Sequence, residues 1–173
     1  MKILILGGGF QQLPAIRKAH DMGLTVLLAD YLADAPGRRE ADRSFLISTR
    51  DKETILDLSR REQVDGILAF ASDPAVETAA YVAEQLGLPG NSLQAAAILG
   101  NKEKFRAFLA ENGIPLPRHF PMSLSEKDLP YLVVVKPLDS SGSKGVTLLR
   151  SYDAGRLILA YQHAVSIRFR ARH

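Results

Sequence analysis

The chain has 173 residues, 46% hydrophobic and 24% charged, with a formal net charge of +3. That is globular composition, with length for one complete domain and part of another. The absence of cysteine excludes a disulfide framework, a thiol nucleophile and a Cys-ligated zinc site.

Lys2 to Leu6 reads as a buried parallel strand, and Gly7-Gly8-Gly9 turns it into a helix. That helix starts near Gln12, because Pro14 is tolerated only in a first turn, and Gly23 closes it. Leu13, Ile16 and Ala19 share its inward face. A second strand, Thr25 to Ala29, ends at Asp30, and a polar loop with Pro36 and Gly37 leads to a short strand at Phe45 to Ile47. Asp51 is placed to cap a helix from Lys52 to Glu62 with Ile55 and Leu58 inward. A fourth strand, Gly66 to Phe70, runs into Ser72-Asp73-Pro74, which predicts a helix with Asp73 as N-cap and Pro74 at its first position. Val76, Ala79, Ala80 and Ala83 form its expected buried stripe, Gly87 ends it, and Ser92 caps a short helix to about Leu99. This alternation predicts an α/β fold, a doubly wound parallel sheet with helices on both faces, over residues 1–92.

Ligands on such sheets bind outside the carboxyl ends of the strands. Those ends carry Gly7-Gly8-Gly9, Asp30 and Ser72-Asp73. Gly7 and Gly9 fit a dinucleotide fingerprint, and Asp30 lies at about the right distance for a ribose hydroxyl, but Gln12 stands where the third glycine belongs. NAD and NADP are therefore not expected there, and a tight turn with no ligand is the alternative. Asp73 and Glu77 are four apart on one helix face, where Glu77 is a candidate to hold an amine.

The second part, residues 93–166, centres on a hairpin. Asn101-Lys102 opens a helix, Glu103 to Asn112, closed by Gly113. Leu132 to Val135 is a β-branched strand ending in Lys136-Pro137, followed by Ser140, Ser141, Gly142, Ser143, Lys144 and Gly145 and a return strand, Val146 to Leu149. Glycine lets backbone N–H groups approach phosphate oxygens, and the lysines add charge. An ordinary solvated turn flanked by lysines is the alternative. The Walker spacing is absent. A phosphate-covering loop must open, so Ser140 to Lys144 is expected to be a mobile turn. A helix from Asp153 to Ala164 follows, with Leu157, Ala160, Tyr161 and Ala164 at helical spacing. Arg168, Arg170 and Arg172 in the basic tail, 167–173, supply the whole positive excess, so the pI is no argument for nucleic-acid binding by the folded body. That tail alternates apolar and basic residues, as an edge strand or an unstructured extension would.

The ordered set of Asn101-Lys102, "NGIPLP" at 112–117, a strand ending in Lys136-Pro137 and a Ser/Gly loop resembles the ATP-grasp superfamily. The resemblance is to its carboxylate–amine ligase and carbamoyl-phosphate-synthase-like branch, over Met1 to about Ser166. It implies a Rossmann-like pre-ATP-grasp domain followed by an incomplete ATP-grasp small α+β subdomain. It implies ATP at Lys102, Lys136, Ser140, Ser141, Gly142, Ser143, Lys144 and Gly145, with the lysines on the phosphates. It implies an acceptor substrate bordered by Gly8, Gly9, Phe10, Asp73 and Glu77. The reaction would join a small-molecule carboxylate to an amine through an acyl phosphate, with Mg²⁺ held by ligands of a C-terminal lobe. The chain stops where that lobe would begin, so the expectation is a truncated chain, inactive alone and binding ATP weakly, with a homodimer or a complementing polypeptide as the expected protein partner. The other expectations are a Rossmann-like binding module without catalysis, or a remnant completed by a partner. Neither metal ligands nor catalytic residues are assigned: His20, His119, His163 and His173 lack ligand spacing. Met1 to Leu6 is too short for a signal peptide, and no stretch approaches a membrane span, so a soluble cytoplasmic protein is expected.

Overall fold

A computed structural model describes residues 1–118, 120, 128–138 and 142–170, the last four of them as backbone. The chain forms two compact units, Met1–Gly100 and Asn101–His173.

The first unit is built on a parallel sheet of four strands in the order β3-β2-β1-β4. The strands are β1 (Lys2–Leu6), β2 (Thr25–Asp30), β3 (Arg43–Leu46) and β4 (Gly66–Leu68). Side-chain alternation divides its apolar residues between two faces. Leu4, Leu6, Leu27 and Ala29 pack with Ile55, Leu56 and Leu58 of α2 (Lys52–Glu62) and Ala75 and Val82 of α3 (Asp73–Leu86). Ile5, Val26 and Leu28 pack with Ile16 and Ala19 of α1 (Leu13–Asp21). Both faces are therefore covered, as the continuous apolar strands require. The short helix α4 (Leu93–Leu99) packs on α3.

The local signals act as their chemistry predicts at several ends. Asp51 accepts from the Thr54 N–H at 3.2 Å and Ser92 from the Ala95 N–H at 3.1 Å. Gly23 adopts φ +72, and its N–H donates to the His20 carbonyl.

Elsewhere tertiary contacts decide. The α3 N-cap is Ser72, not Asp73; Asp73 is the first helical residue and Pro74 the second. With Ser72 as the cap, Pro74 is the second helical residue and has no N–H to offer, and the Ser72 side chain makes no capping bond. Asp73 instead places its charge at the positive end of the helix dipole. The buried stripe of α3 is Ala75, Thr78, Ala80, Val82 and Ala83, with Val76 and Ala79 only half-buried. The shift follows from α3 touching both the sheet and α2. β3 spans Arg43–Leu46 rather than Phe45 to Ile47, because its register is set by pairing Leu27 with Arg43 through Asp30 with Leu46.

Ion pairs fasten the rim of this unit. Arg43 binds Glu62 through two guanidinium–carboxylate hydrogen bonds, and this bond above all holds the Glu62 carboxyl below the usual carboxylate range. Asp42 accepts from the Val26 N–H at 2.7 Å and lies 3.1 Å from His20 Nε2. The Val26 bond, then His20, lowers its pKa.

In the second unit, β5 (Val133–Val135) and β6 (Thr147–Leu149) pair antiparallel, Val133 opposite Leu149 and Val135 opposite Thr147. Val133 and Leu149 face inward and pack with Leu157, while Val134 and Leu148 face outward. The helix α5 (Lys102–Glu111) is opened by Asn101, whose side chain accepts from the Glu103 and Lys104 N–H groups. The last helix, α6, runs Ala154–Arg170, with Leu157, Ala160 and Ala164 buried. Residues 167–170, read from sequence as an edge strand or tail, thus continue a helix. No glycine or proline interrupts them, and extending a helix costs less than starting a new element. Among the described residues no helix is long and apolar enough to cross a membrane.

Candidate functional site

The second unit carries an open groove of about 390 Å³ lined by Lys102, Val134, Lys136, Pro137, Gly142, Ser143, Lys144 and Val146. Its construction follows from the elements. Lys136 lies just past the end of β5, where Pro137 interrupts the ladder. Val134 lies on the outward face of β5, and Val146 just precedes β6. Asn101 fixes the start of α5 and so places Lys102. The Lys102 backbone N–H and its Nζ both donate to the Leu138 carbonyl, each at 3.3 Å, which ties the helix start to the strand exit.

The described part of the loop is a turn. Gly142 has φ +65 and Ser143 φ +57, and the Val146 N–H donates back to the Ser143 carbonyl at 3.3 Å. Two successive left-handed residues are natural for glycine and tolerable for serine. Gly142, Ser143 and Lys144 are exposed, whereas Gly145 is buried. Three lysines and a run of small residues beside two valines form a surface that can meet a polyphosphate on one side and an apolar ring on the other. The structure thus brings together Lys102, Lys136, Gly142, Ser143 and Lys144. Ser140 and Ser141 lie outside the described residues. Val134 and Val146 were not singled out from sequence; their outward position in a two-residue period was the available signal.

The glycine-rich turn of the first unit is built differently. Gly7 has φ +98, and its N–H donates to the Ala29 carbonyl at 2.8 Å. The Gly8 N–H donates to Asp30 Oδ2 at 2.7 Å, and its carbonyl accepts from the Gly37 N–H at 2.7 Å. The other Asp30 oxygen accepts from the Leu32 N–H at 2.8 Å, so this buried carboxylate is engaged on both sides. Gly8 is itself buried, while Gly9 is half-buried and Phe10 is 79% exposed. Gln12 occupies the place of the third fingerprint glycine without disturbing the packing. It is 7% exposed, and its Nε2 donates to the Phe70 and Ala71 carbonyls at 2.9 and 3.0 Å. Arg38 bonds the Asp30, Leu32 and Phe45 carbonyls and the Ser44 hydroxyl. No sequence signal marked Arg38; Gln12 was visible only as a misfit. Asp73 and Glu77 are both exposed on α3. Among the described residues no group of three or more His, Asp or Glu side chains is placed to hold a metal ion.

Residues 16–90 match the ATP-grasp N-terminal domain. The formate-dependent phosphoribosylglycinamide formyltransferase of Wolinella succinogenes is 31% identical over 160 residues, which cover 87% of this chain and 41% of that protein. The crystal structure of an L-amino acid ligase from Bacillus licheniformis matches 92% of this chain and 41% of its own with TM-score 0.67 and 27% identity. That of N5-carboxyaminoimidazole ribonucleotide synthetase from Thermotoga maritima matches 88% and 41% with TM-score 0.69 and 25% identity. The chain spans about two fifths of the length of the curated relatives it matches. By its domain match and by relatives that extend across both of its units, the chain carries a segment that matches the ATP-grasp N-terminal domain and is similar to the N-terminal part of ATP-grasp ligases.

Proposed function

We propose that the chain forms the phosphate-facing and acceptor-facing part of an ATP-dependent carboxylate–amine ligase. The observation that carries this reading is the groove in which Lys102, Lys136, Ser143 and Lys144 converge beside Val134 and Val146. In the reaction a carboxylate oxygen attacks the γ-phosphorus of ATP, breaking its bond to the bridging oxygen and giving an acyl phosphate and ADP. The amine nitrogen then attacks the acyl carbon, phosphate leaves, and the nitrogen loses a proton as the amide forms. The lysine ammonium groups offset the charge on the phosphates, and loop N–H groups add donors. The two valines give the nucleotide an apolar wall. These charges sit on an open surface and are screened by salt, so the affinity expected of this chain is weak.

The relatives support amide- or formyl-forming chemistry through their names: a formyltransferase using formate and a ligase of L-amino acids. Calorimetric titration with ADP tests the groove. Saturable binding that weakens in Lys136→Ala and in high salt is expected. ADP binding of equal strength in Lys136→Ala and Lys102→Ala would overturn the assignment. Amine-dependent ADP release, assayed over a panel of formate and amino acids with amines, tests the reaction class.

A further inference from the structure

We infer that Asn101 is a positioning residue of the groove in the second unit: it holds Lys102 in place there without itself touching a ligand. This rests on the nucleotide reading above and goes beyond it by assigning a residue outside the described lining. Asn101 precedes α5 with the extended backbone of an N-cap, φ −123 and ψ 116. Its Oδ1 accepts from the Glu103 N–H at 2.9 Å and the Lys104 N–H at 3.1 Å, and its carbonyl accepts from the Phe105 N–H at 2.8 Å. The Lys102 N–H donates to the Leu138 carbonyl at 3.3 Å, where Lys102 Nζ also arrives at 3.3 Å. The N–H groups of Lys102, Glu103 and Lys104 are thus spent inside the chain. What the start of α5 offers a phosphate is the Lys102 side chain, not its amide groups.

Little else holds this helix start. None of the 10 residues of α5 is buried, and a helix that short is marginal without packing. Its first turn carries Lys102 and Lys104 against the single acid Glu103, at the end where the helix dipole favours anions. The Asn101 cap therefore decides whether the turn is ordered. With the turn formed, the Lys102 backbone is fixed against Leu138, two residues past Lys136, and its ammonium group starts from one defined place. With the turn frayed, Lys102 becomes a flexible surface lysine. The cost of ordering its long side chain then cancels most of its attraction to a phosphate.

The experiment follows the backbone amides of Lys136 and Gly142 to Val146 in the ¹⁵N-labelled chain during titration with ADP. It compares the unmodified chain with Asn101→Ala, Asn101→Ser, Lys102→Ala and the double variant Asn101→Ala with Lys102→Ala. Lys102→Ala is expected to weaken ADP about fivefold and Asn101→Ala about threefold. The double variant should lose no more than Lys102→Ala alone, about fivefold rather than the roughly fifteenfold of independent sites. Asn101→Ser supplies a neutral cap oxygen and should return ADP to within about twofold of the unmodified chain. A purely structural role would weaken ADP by the same factor with or without Lys102. Unmoved amides of β5, β6 and α6 show that the unit is folded. If Asn101→Ala loses them, the same cycle is read in Asn101→Gly, which weakens the cap less. Multiplying losses in the cycle, undiminished ADP binding in Asn101→Ala, or no rescue by Asn101→Ser overturns the inference and leaves the nucleotide reading standing. An unmodified chain whose groove amides ignore ADP sinks both.

Discussion

The two glycine-rich turns of this chain look alike in sequence and do opposite things. At Gly7-Gly8-Gly9 the backbone groups are consumed internally: Gly7 bonds Ala29, and Gly8 bonds Asp30 and Gly37. At Gly142 to Gly145 the first three residues are exposed, and a Cβ added at Gly142 would meet nothing within 4 Å. The first turn is a junction where strand, loop and helix meet; the second is an open rim beside lysines. Glycine serves close approach in one and a left-handed turn in the other, and neighbours alone distinguish the two.

Four measurements can break or sharpen this contrast, and the largest effect belongs to the junction. A Cβ at Gly37 would lie 2.9 Å from the Gly8 Cα and 2.9 Å from the Ile16 Cδ1. Gly37→Ala is therefore expected to destabilise the first unit by about 2–3 kcal/mol. Gly142→Ala, with open space but φ +65, should cost only about 1 kcal/mol. Urea unfolding of both variants checks the ordering; equal losses would erase the distinction.

Asp30→Ala comes next. It removes a buried carboxylate that accepts from Gly8 and Leu32, leaving two N–H groups unpaired, and should lower stability by about 2 kcal/mol. Asp30→Asn keeps one acceptor and should recover part of the loss. Lys136→Ala should act in the other direction: no change in unfolding midpoint, but ADP binding weaker by about five- to tenfold. A stability loss there without an affinity loss would make Lys136 structural and the groove an ordinary surface.

The smallest effect concerns acid. Glu40, Asp42 and Glu62 in the first unit have lowered pKa values, through the Arg17 hydrogen bond, the Val26 N–H and the Arg43 hydrogen bond respectively. A carboxylate whose folded pKa lies below its unfolded value stabilises the fold above the unfolded value. That contribution disappears as pH falls through the folded one. Thermal midpoints should thus be flat near neutrality and fall below about pH 4. Asp42→Asn or Glu62→Gln should flatten that fall. Unchanged pH profiles in both variants would show that these bonds do not favour the folded state.

Strand and helix positions were legible in the chain because they depend on near neighbours. Apolar alternation places β1 and β2, and the caps Asp51, Ser92 and Asn101 act within three residues of themselves. The same locality exposed Lys136 and the Gly142–Lys144 turn as one hairpin, whereas Lys102 was joined to them by the family resemblance and meets the Leu138 carbonyl across 36 residues. What the sequence left open was settled across gaps of 22 to 59 residues, in the bonds of Gly8 with Asp30 and of Gln12 with Phe70 and Ala71. Gln12 reads as a defect in a fingerprint until β4 delivers two carbonyls to its amide, and Asp30 reads as a ribose ligand until Gly8 and Leu32 take both of its oxygens. Residues 167–170 alternate like a strand, yet a strand needs a partner edge while a helix satisfies its own backbone, and they continue α6. Periodicity fixes which face of an element is apolar; only the assembled sheet fixes which polar groups are already spent and which remain for a ligand.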